Sequence, residues 1–174
     1  FWFLIIALVF RALPQITLVS GYLPVFFEFN MWGHLPTAIV VLIAINQPFT
    51  LWMLHSFFKN IPQDLDESAM DDGCNRFQAF RHVLVPVMWP GVITTGLFSF
   101  LLAYNDFAVT TLLLNQENQT MIPKIGSFLG TTQTKGNVMF AVSAVVSVTA
   151  PLFVMILVFQ RQIVSGLTAG AVKG

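Results

Sequence analysis

Long apolar runs alternate with short polar stretches along this chain. Residues 1–27 carry a single charge, Arg11, and residues 29–58, 82–105 and 136–160 carry none. A helix rising ~1.5 Å per residue needs about 20 mainly apolar residues to cross ~30 Å of hydrocarbon. Each run is long enough. The pattern predicts four transmembrane helices, roughly 1–20, 34–54, 85–110 and 138–160. Open sheet edges cannot be satisfied in lipid, so the expected fold is all-α, a polytopic membrane helix bundle.

Breaks and polar residues refine this outline. Arg11 and Pro14 interrupt the first run, and Gly21, Tyr22, Leu23 and Pro24 are expected to end it. A short interfacial helix over 25–32 would follow, with Tyr22 and Trp32 as aromatic anchors. Arg11 either snorkels or faces neighbouring helices, or it lines a pathway. In the second run, Asn46, Gln47 and Pro48 mark local unwinding, a helix–helix hydrogen bond or a solute contact. The third run opens with Pro86, Pro90 and Gly91, small or kinking residues that allow close packing. It ends near Asn105 and Asp106, where the acid is either a helix-end residue or a functional site. Residues 115–137 read as a polar outer loop with a short helix around 125–129, and the fourth run leads to Arg161 and a Gly-rich tail.

Composition supports the bilayer as solvent. The chain is 56% hydrophobic and 9% charged, with mean hydropathy +0.76, against roughly 25% charged residues in soluble domains. Net charge is zero and there is no basic tract, so nucleic acid is not an expected partner. The single cysteine, Cys74, allows no internal disulfide and no zinc site by itself. The chain begins at Phe1, without Met and inside an apolar run, and is expected to be a piece of a longer protein. Arg11 and Pro14 argue against a signal peptide there. Lys59, Arg76, Arg81, Arg161 and Lys173 fall on one side of the outline, Lys124 and Lys135 on the other. The positive-inside bias then places residues 59–86, the C-terminus and Phe1 on the cytoplasmic side.

The stretch from Lys59 to Pro86 stands apart, holding five of the eight acids and three of the eight basic residues. Pro62 followed by Asp64, Asp66 and Glu67 suits a helix N-terminus. Gly73 permits a backbone conformation that other residues resist. A second short helix over 75–83 would place Phe77, Phe80 and Leu84 on one side, and Pro86 would close the excursion at the membrane.

Glu67-Ser68-Ala69, Gly73 and Val83-Leu84-Val85-Pro86, at this spacing, resemble the EAA motif of the membrane subunits of binding-protein-dependent ABC importers. Asp72 before the glycine fits the same motif. So does the approach through Pro48-Phe49, Trp52, Phe57-Phe58, Ile61-Pro62 and Leu65-Asp66. The tail from Gly166 to Gly174 and Asn105-Asp106-Phe107 resemble the carbohydrate-uptake subset, the MalG-like permeases. The likeness covers essentially the whole chain. Ser68 stands in place of the middle Ala, Cys74 of a usual Ala, and Val83 and Val85 of Ile and Leu.

The resemblance implies a single transmembrane domain over residues 1–174. Residues 59–86 would be its cytoplasmic coupling loop and 161–174 its C-terminal tail. Two of the family's six spans would precede Phe1. It implies that residues 64–82 form a coupling helix seated in a cleft of a cytoplasmic ATPase. Glu67 would be a charged contact and Gly73 the turn, with Ser68, Ala69, Asp72 and Pro86 completing the joint. The implied partners are an ATPase subunit dimer, a second permease subunit, an extracytoplasmic solute-binding protein and the lipid bilayer. The implied location is the bacterial cytoplasmic (inner) membrane, multi-pass. The chain has no G-x-x-x-x-G-K-[ST] loop, so ATP would be a partner's cofactor; none is expected here, nor a metal or a catalytic residue. Candidate solute-pathway residues are Asn46, Asn105 and Asp106. The tail favours a sugar or sugar derivative, with a non-sugar solute as the alternative. An intramembrane enzyme would need convergent polar groups, yet His34, His55 and His82 lie on separate predicted elements. A channel would need a charged ring or filter loop, and none is visible.

Overall fold

A computed structural model describes residues 2–62, 64–130 and 135–171. Phe1, Gln63, Thr131–Thr134 in the outer loop and Val172–Gly174 in the tail lie outside the described residues. All the regular structure among those described is helical. In chain order it comprises α1 (Trp2–Ala12), α2 (Gln15–Glu28), α3 (Leu35–Phe58), α4 (Asp64–Asp71), α5 (Arg76–Ala79), a π-helical turn (Phe80–Leu84), α6 (Val85–Tyr104), α7 (Ala108–Leu113), α8 (Met121–Gly130) and α9 (Lys135–Ala171). Three stretches are long and apolar enough to cross a membrane: Leu35–Phe58, Arg76–Tyr104 and Val138–Val164. The α1–α2 pair makes a fourth if its 87° bend lies within one span.

That bend corrects the first predicted span. The residue before a proline is steered away from the helical region, and Pro14 itself sits extended at φ −60°, ψ 113°. Helix α1 therefore stops at Ala12 and α2 starts afresh at Gln15. The break expected at Gly21–Pro24 does not occur, nor does a separate helix over 25–32. Pro24 lies inside α2, where the one backbone donor it removes is tolerated. The helix ends later, at a left-handed Asn30 with φ +54°. There Asn30 N–H donates to Phe27 O and Met31 N–H to Phe26 O, the paired bonds of a Schellman end.

Chain contacts divide the molecule into two compact units, residues 1–49 with 100–158, and residues 50–99 with 159–174. In the first, Val19, Ala38, Val109, Leu113 and Leu114 form the buried core, with Leu23, Phe26 and Ile45 packed around them. Short α7 is nearly enclosed, Val109 and Leu113 being 0% exposed. Its last carbonyls, which a helix cannot satisfy internally, are taken up by the turn after α2. Trp32 Nε1 donates to Leu112 O at 3.0 Å, and Gly33 N–H to Leu113 O at 2.9 Å. The Tyr104 hydroxyl donates to Val148 O of α9 at 2.7 Å.

In the second unit, α6 packs on α3 where Gly91 meets Phe57. The hydroxyls of Thr50 and Ser99 lie 2.8 Å apart, and the buried Thr94 hydroxyl faces both Pro90 O (2.9 Å) and Gln162 O (2.8 Å). Such hydroxyl bonds join membrane helices without placing an unsatisfied polar group in hydrocarbon.

The remaining boundaries shift for local reasons. α3 passes through Asn46-Gln47-Pro48 without unwinding and extends to Phe58. The third span ends at Tyr104, not 110, because Asn105 and Asp106 leave the helix. The short helix expected around 125–129 is longer, Met121–Gly130. α9 continues beyond Arg161 to Ala171, so most of the expected tail is helical.

Candidate functional site

The corner built by residues 64–86 starts with α4, whose first turn carries Asp64, Asp66 and Glu67. Acids there complement the positive end of the helix dipole. The helix ends as Gly73 N–H donates to Met70 O and Cys74 N–H to Ala69 O, both at 3.0 Å. This bond pair is the Schellman pattern, with Gly73 as the left-handed residue at φ +86°. Immediately afterwards Asn75 caps α5. Its Oδ1 accepts from Gln78 N–H while Gln78 Oε1 accepts from Asn75 N–H, both at 2.9 Å, a reciprocal capping box. Three residues, Gly73, Cys74 and Asn75, thus end one helix and start the next with each of their N–H groups satisfied.

One expectation is corrected here. The second short helix does not stop at 83, ahead of Pro86; α5, the π turn and α6 form one continuous run, Arg76–Tyr104. Val85 N–H donates to Phe80 O, five residues back. Pro86 has no N–H to give, and it sits in the first turn of α6, just past this widened turn. The corner is therefore joined to the third span by helix, not by a loop. Phe80 also stacks on Phe58 at the end of α3, with ring centroids 6.5 Å apart.

The motif residues divide by exposure. Glu67, Ser68, Asp72, Gly73 and Pro86 are exposed, whereas Ala69 is buried at 5%. Ala69 is thus the small residue on the inward face, and Glu67 and Ser68 look outward. Asp64, Asp71 and Asp72 are exposed too, and among the described residues no ion pair neutralises any of these acids. Phe77, expected on the same side as Phe80 and Leu84, is 69% exposed. The inward position of α5 belongs to Ala79, at 0%. The helix start at Asn75 agrees with the expected 75–83 helix, and its pairing with Gln78 is the Asn-x-x-Gln helix-start signal.

The three intramembrane candidates do not converge. Asn46 is buried on α3, its Nδ2 donating to Leu42 O at 2.9 Å. Asn105 is exposed and its Nδ2 donates to Leu101 O at 2.8 Å, covering the end of α6. Asp106 Oδ1 accepts from Thr110 N–H at 2.9 Å and so ties down the first turn of α7. Loss of such a side-chain acceptor costs about 1 kcal/mol. Asp106→Ala should lower thermal stability by that amount, while Asp106→Asn, which keeps the oxygen, should stay near wild type. Equal losses in both would show that charge, not the acceptor, matters.

Residues 1–168 match the profile of a family described as the binding-protein-dependent transport system inner membrane component. The chain belongs to this family. Its long apolar helices and this membership make it a multi-pass inner-membrane protein. It is 34% identical over 169 residues to the trehalose transport system permease protein SugB of Mycobacterium tuberculosis, covering 97% of this chain and 62% of that protein. It is 40% identical over 165 residues to the trehalose/maltose transport system permease protein MalG of Thermococcus litoralis, covering 92% and 58%. A third relative is the diacetylchitobiose uptake system permease protein DasC of Streptomyces coelicolor, 40% identical over 129 residues and covering 73% and 46%. The chain thus spans 62% or less of the length of each of these relatives.

Proposed function

We propose that this chain is part of the membrane-spanning permease subunit of an ATP-driven importer for a sugar or related solute. Its 64–86 corner would dock on a cytoplasmic ATPase subunit dimer that binds and hydrolyses the ATP. A second permease subunit and an extracytoplasmic solute-binding protein complete the proposed assembly. The observation that carries this reading is the corner itself: exposed Glu67 and Ser68 ahead of a left-handed Gly73, in a chain of the binding-protein-dependent transport family. The sugar class is supported by the printed names of the relatives above. Ser68, Ala69, Asp72 and Pro86 join Glu67 and Gly73 in the coupling role, Ala69 as packing and the others as exposed surface or turn.

Glu67→Lys in the complete transporter tests the joint. Reversing one exposed charge at a protein contact should lower ATPase subunit recovered with the permease, and solute uptake, by about tenfold. Wild-type recovery and uptake in this variant would remove Glu67 from the contact. For the solute pathway we assign Asn46, Asn105 and Asp106. Alanine at the two asparagines and Asp106→Asn should raise the solute concentration for half-maximal uptake in at least one case, and no change in any would discard all three. Identification of the ligand held by the cognate solute-binding protein separates a sugar from a non-sugar solute.

A further inference from the structure

Phe77, Phe80, Leu84 and Gly91 recur at α-helical spacing, and an α-helix would join them in one stripe. At ~100° per residue, an uninterrupted helix brings Phe77 within about 40° of Gly91 and Phe80 within about 20°. The observed burial is different. Phe77 is 69% exposed and Phe80 42%, whereas Ala79 is at 0%. The inward residues of α6 are Met88, Gly91, Thr94, Thr95 and Leu97, whose directions average close to that of Gly91. Ala79 has therefore taken the inward place on which the sequence puts Phe80.

The π turn accounts for the exchange. A ring closed five residues back holds one residue more than an α turn, and Val85 N–H reaches back to Phe80 O. That residue delays the helix by ~100°, so Ala79 comes to lie about 20° from Gly91 and Phe77 about 140° from it. The end of α3 meets the helix on both sides of the turn, Phe57 at Gly91 and Phe58 at Phe80. α4 packs against both α5 and the π turn, so it turns with them.

Proline alone does not explain the turn. Pro24, Pro48, Pro90 and Pro151 lie inside helices that stay α-helical. Pro86 instead makes the change of spacing cheap: where the bonds step from five residues to four, it has no N–H to place. Exposed Arg81 and His82 give the extra residue an open side. Turning an aromatic side chain outward gives up apolar burial, and a local pattern broken at such a cost is expected at a functional position.

Resting on the coupling role proposed above, we propose that the π turn sets the rotational phase of the 64–79 corner on the third span, and that transport depends on this phase and not on the extra residue itself. The turn acts through its backbone path, keeping Ala79 inward while Glu67 and Ser68 face out. Removing one residue from it closes the helix into α geometry and leaves the corner aimed as before. Adding one residue turns the corner by ~100°.

The test uses the complete transporter, with this subunit tagged and its membrane-fraction level as the folding control. Deletion of His82 should keep ATPase subunit recovery and solute uptake within about threefold of wild type, and His82→Ala should match wild type. An alanine inserted between His82 and Val83 should lower both by at least about tenfold, since it carries the contact side chains away from their partner. A second measurement needs no partner subunit. With Cys74→Ser, a short thiol cross-linker should join Phe58→Cys to Phe80→Cys in the parent and in the deletion variant, and at least about tenfold less in the insertion variant. The proposal is overturned if deletion of His82 abolishes uptake while His82→Ala does not, which is the behaviour of a hinge that needs its extra residue. It is equally overturned if the deletion variant fails to reach the membrane or loses the cross-link, or if the insertion variant works as wild type. If the wild-type permease recovers no ATPase subunit, the coupling reading fails by itself, and the cross-link still decides whether the turn sets the phase.

Discussion

Gly91→Val should be among the most damaging single substitutions in the second unit. A Cβ at Gly91 would lie 2.6 Å from Phe57 Cγ, 2.8 Å from Cδ1 and 3.0 Å from Cβ. These atoms are the root of the Phe57 side chain, not its tip, so rotating the ring cannot clear them; α3 and α6 must separate or the helix must shift. Overpacking of this kind costs about 1–3 kcal/mol. Alanine should sit at the lower end, and valine, with two further methyl groups, at or above the upper. Lipid on the far side offers no compensating gain, since membrane helices associate through close contact at small residues. The measurement is a double-mutant cycle with Phe57→Ala, read as thermal stability of the purified protein in one detergent. Removing the ring should recover much of the Gly91→Ala loss, giving a coupling of at least about 1 kcal/mol. Simple additivity of the two losses would show that the helices approach elsewhere.

Much of this architecture was legible from charge gaps, because a span has to be long and apolar whatever its neighbours do. Leu35–Phe58, Arg76–Tyr104 and Val138–Val164 each contain most of a predicted span. Span ends were less legible. Pro14 broke the first run more sharply than Pro24 did, although both lack an N–H. The difference is position: Pro14 begins a helix and Pro24 falls within one already formed. The Gly-rich tail carries no secondary-structure signal of its own, yet α9 continues through Gly166 and Gly170 to Ala171; glycine lowers helix propensity by only about 1 kcal/mol. The corner was legible as helix, glycine, helix. Its π turn was not, because a five-residue hydrogen-bond spacing leaves no residue-type signature beyond the proline that follows it. The sequence pattern allows Asp106 two roles, and the geometry gives it a helix-end hydrogen bond that no single-residue pattern specifies.

Gly73 offers the sharpest way to separate the shape of the corner from the chemistry of its surface. A Cβ added there meets no heavy atom within 4 Å, so a substitution is opposed by backbone conformation alone. At φ +86° an L-residue other than Gly pays roughly 1–2 kcal/mol, and a β-branched one more. Asparagine is the informative exception, because Asn30 fills the equivalent position at the end of α2 with φ +54°. Gly73→Asn should therefore retain the turn, Gly73→Ala should weaken it, and Gly73→Val should break it. Hydrogen exchange of the Gly73 and Cys74 amides, which bond Met70 O and Ala69 O, should speed up in that order. If the corner transmits motion as proposed, uptake should follow the same order, with Gly73→Val losing about tenfold or more, the equivalent of ~1.4 kcal/mol on a rate. The acidic surface is left chemically untouched in all three variants, so a graded loss of uptake assigns the effect to geometry. Uptake that stays at the wild-type level in Gly73→Val, with faster amide exchange confirming a broken turn, would detach the turn from transport and leave Glu67 and its neighbours to act through contact alone.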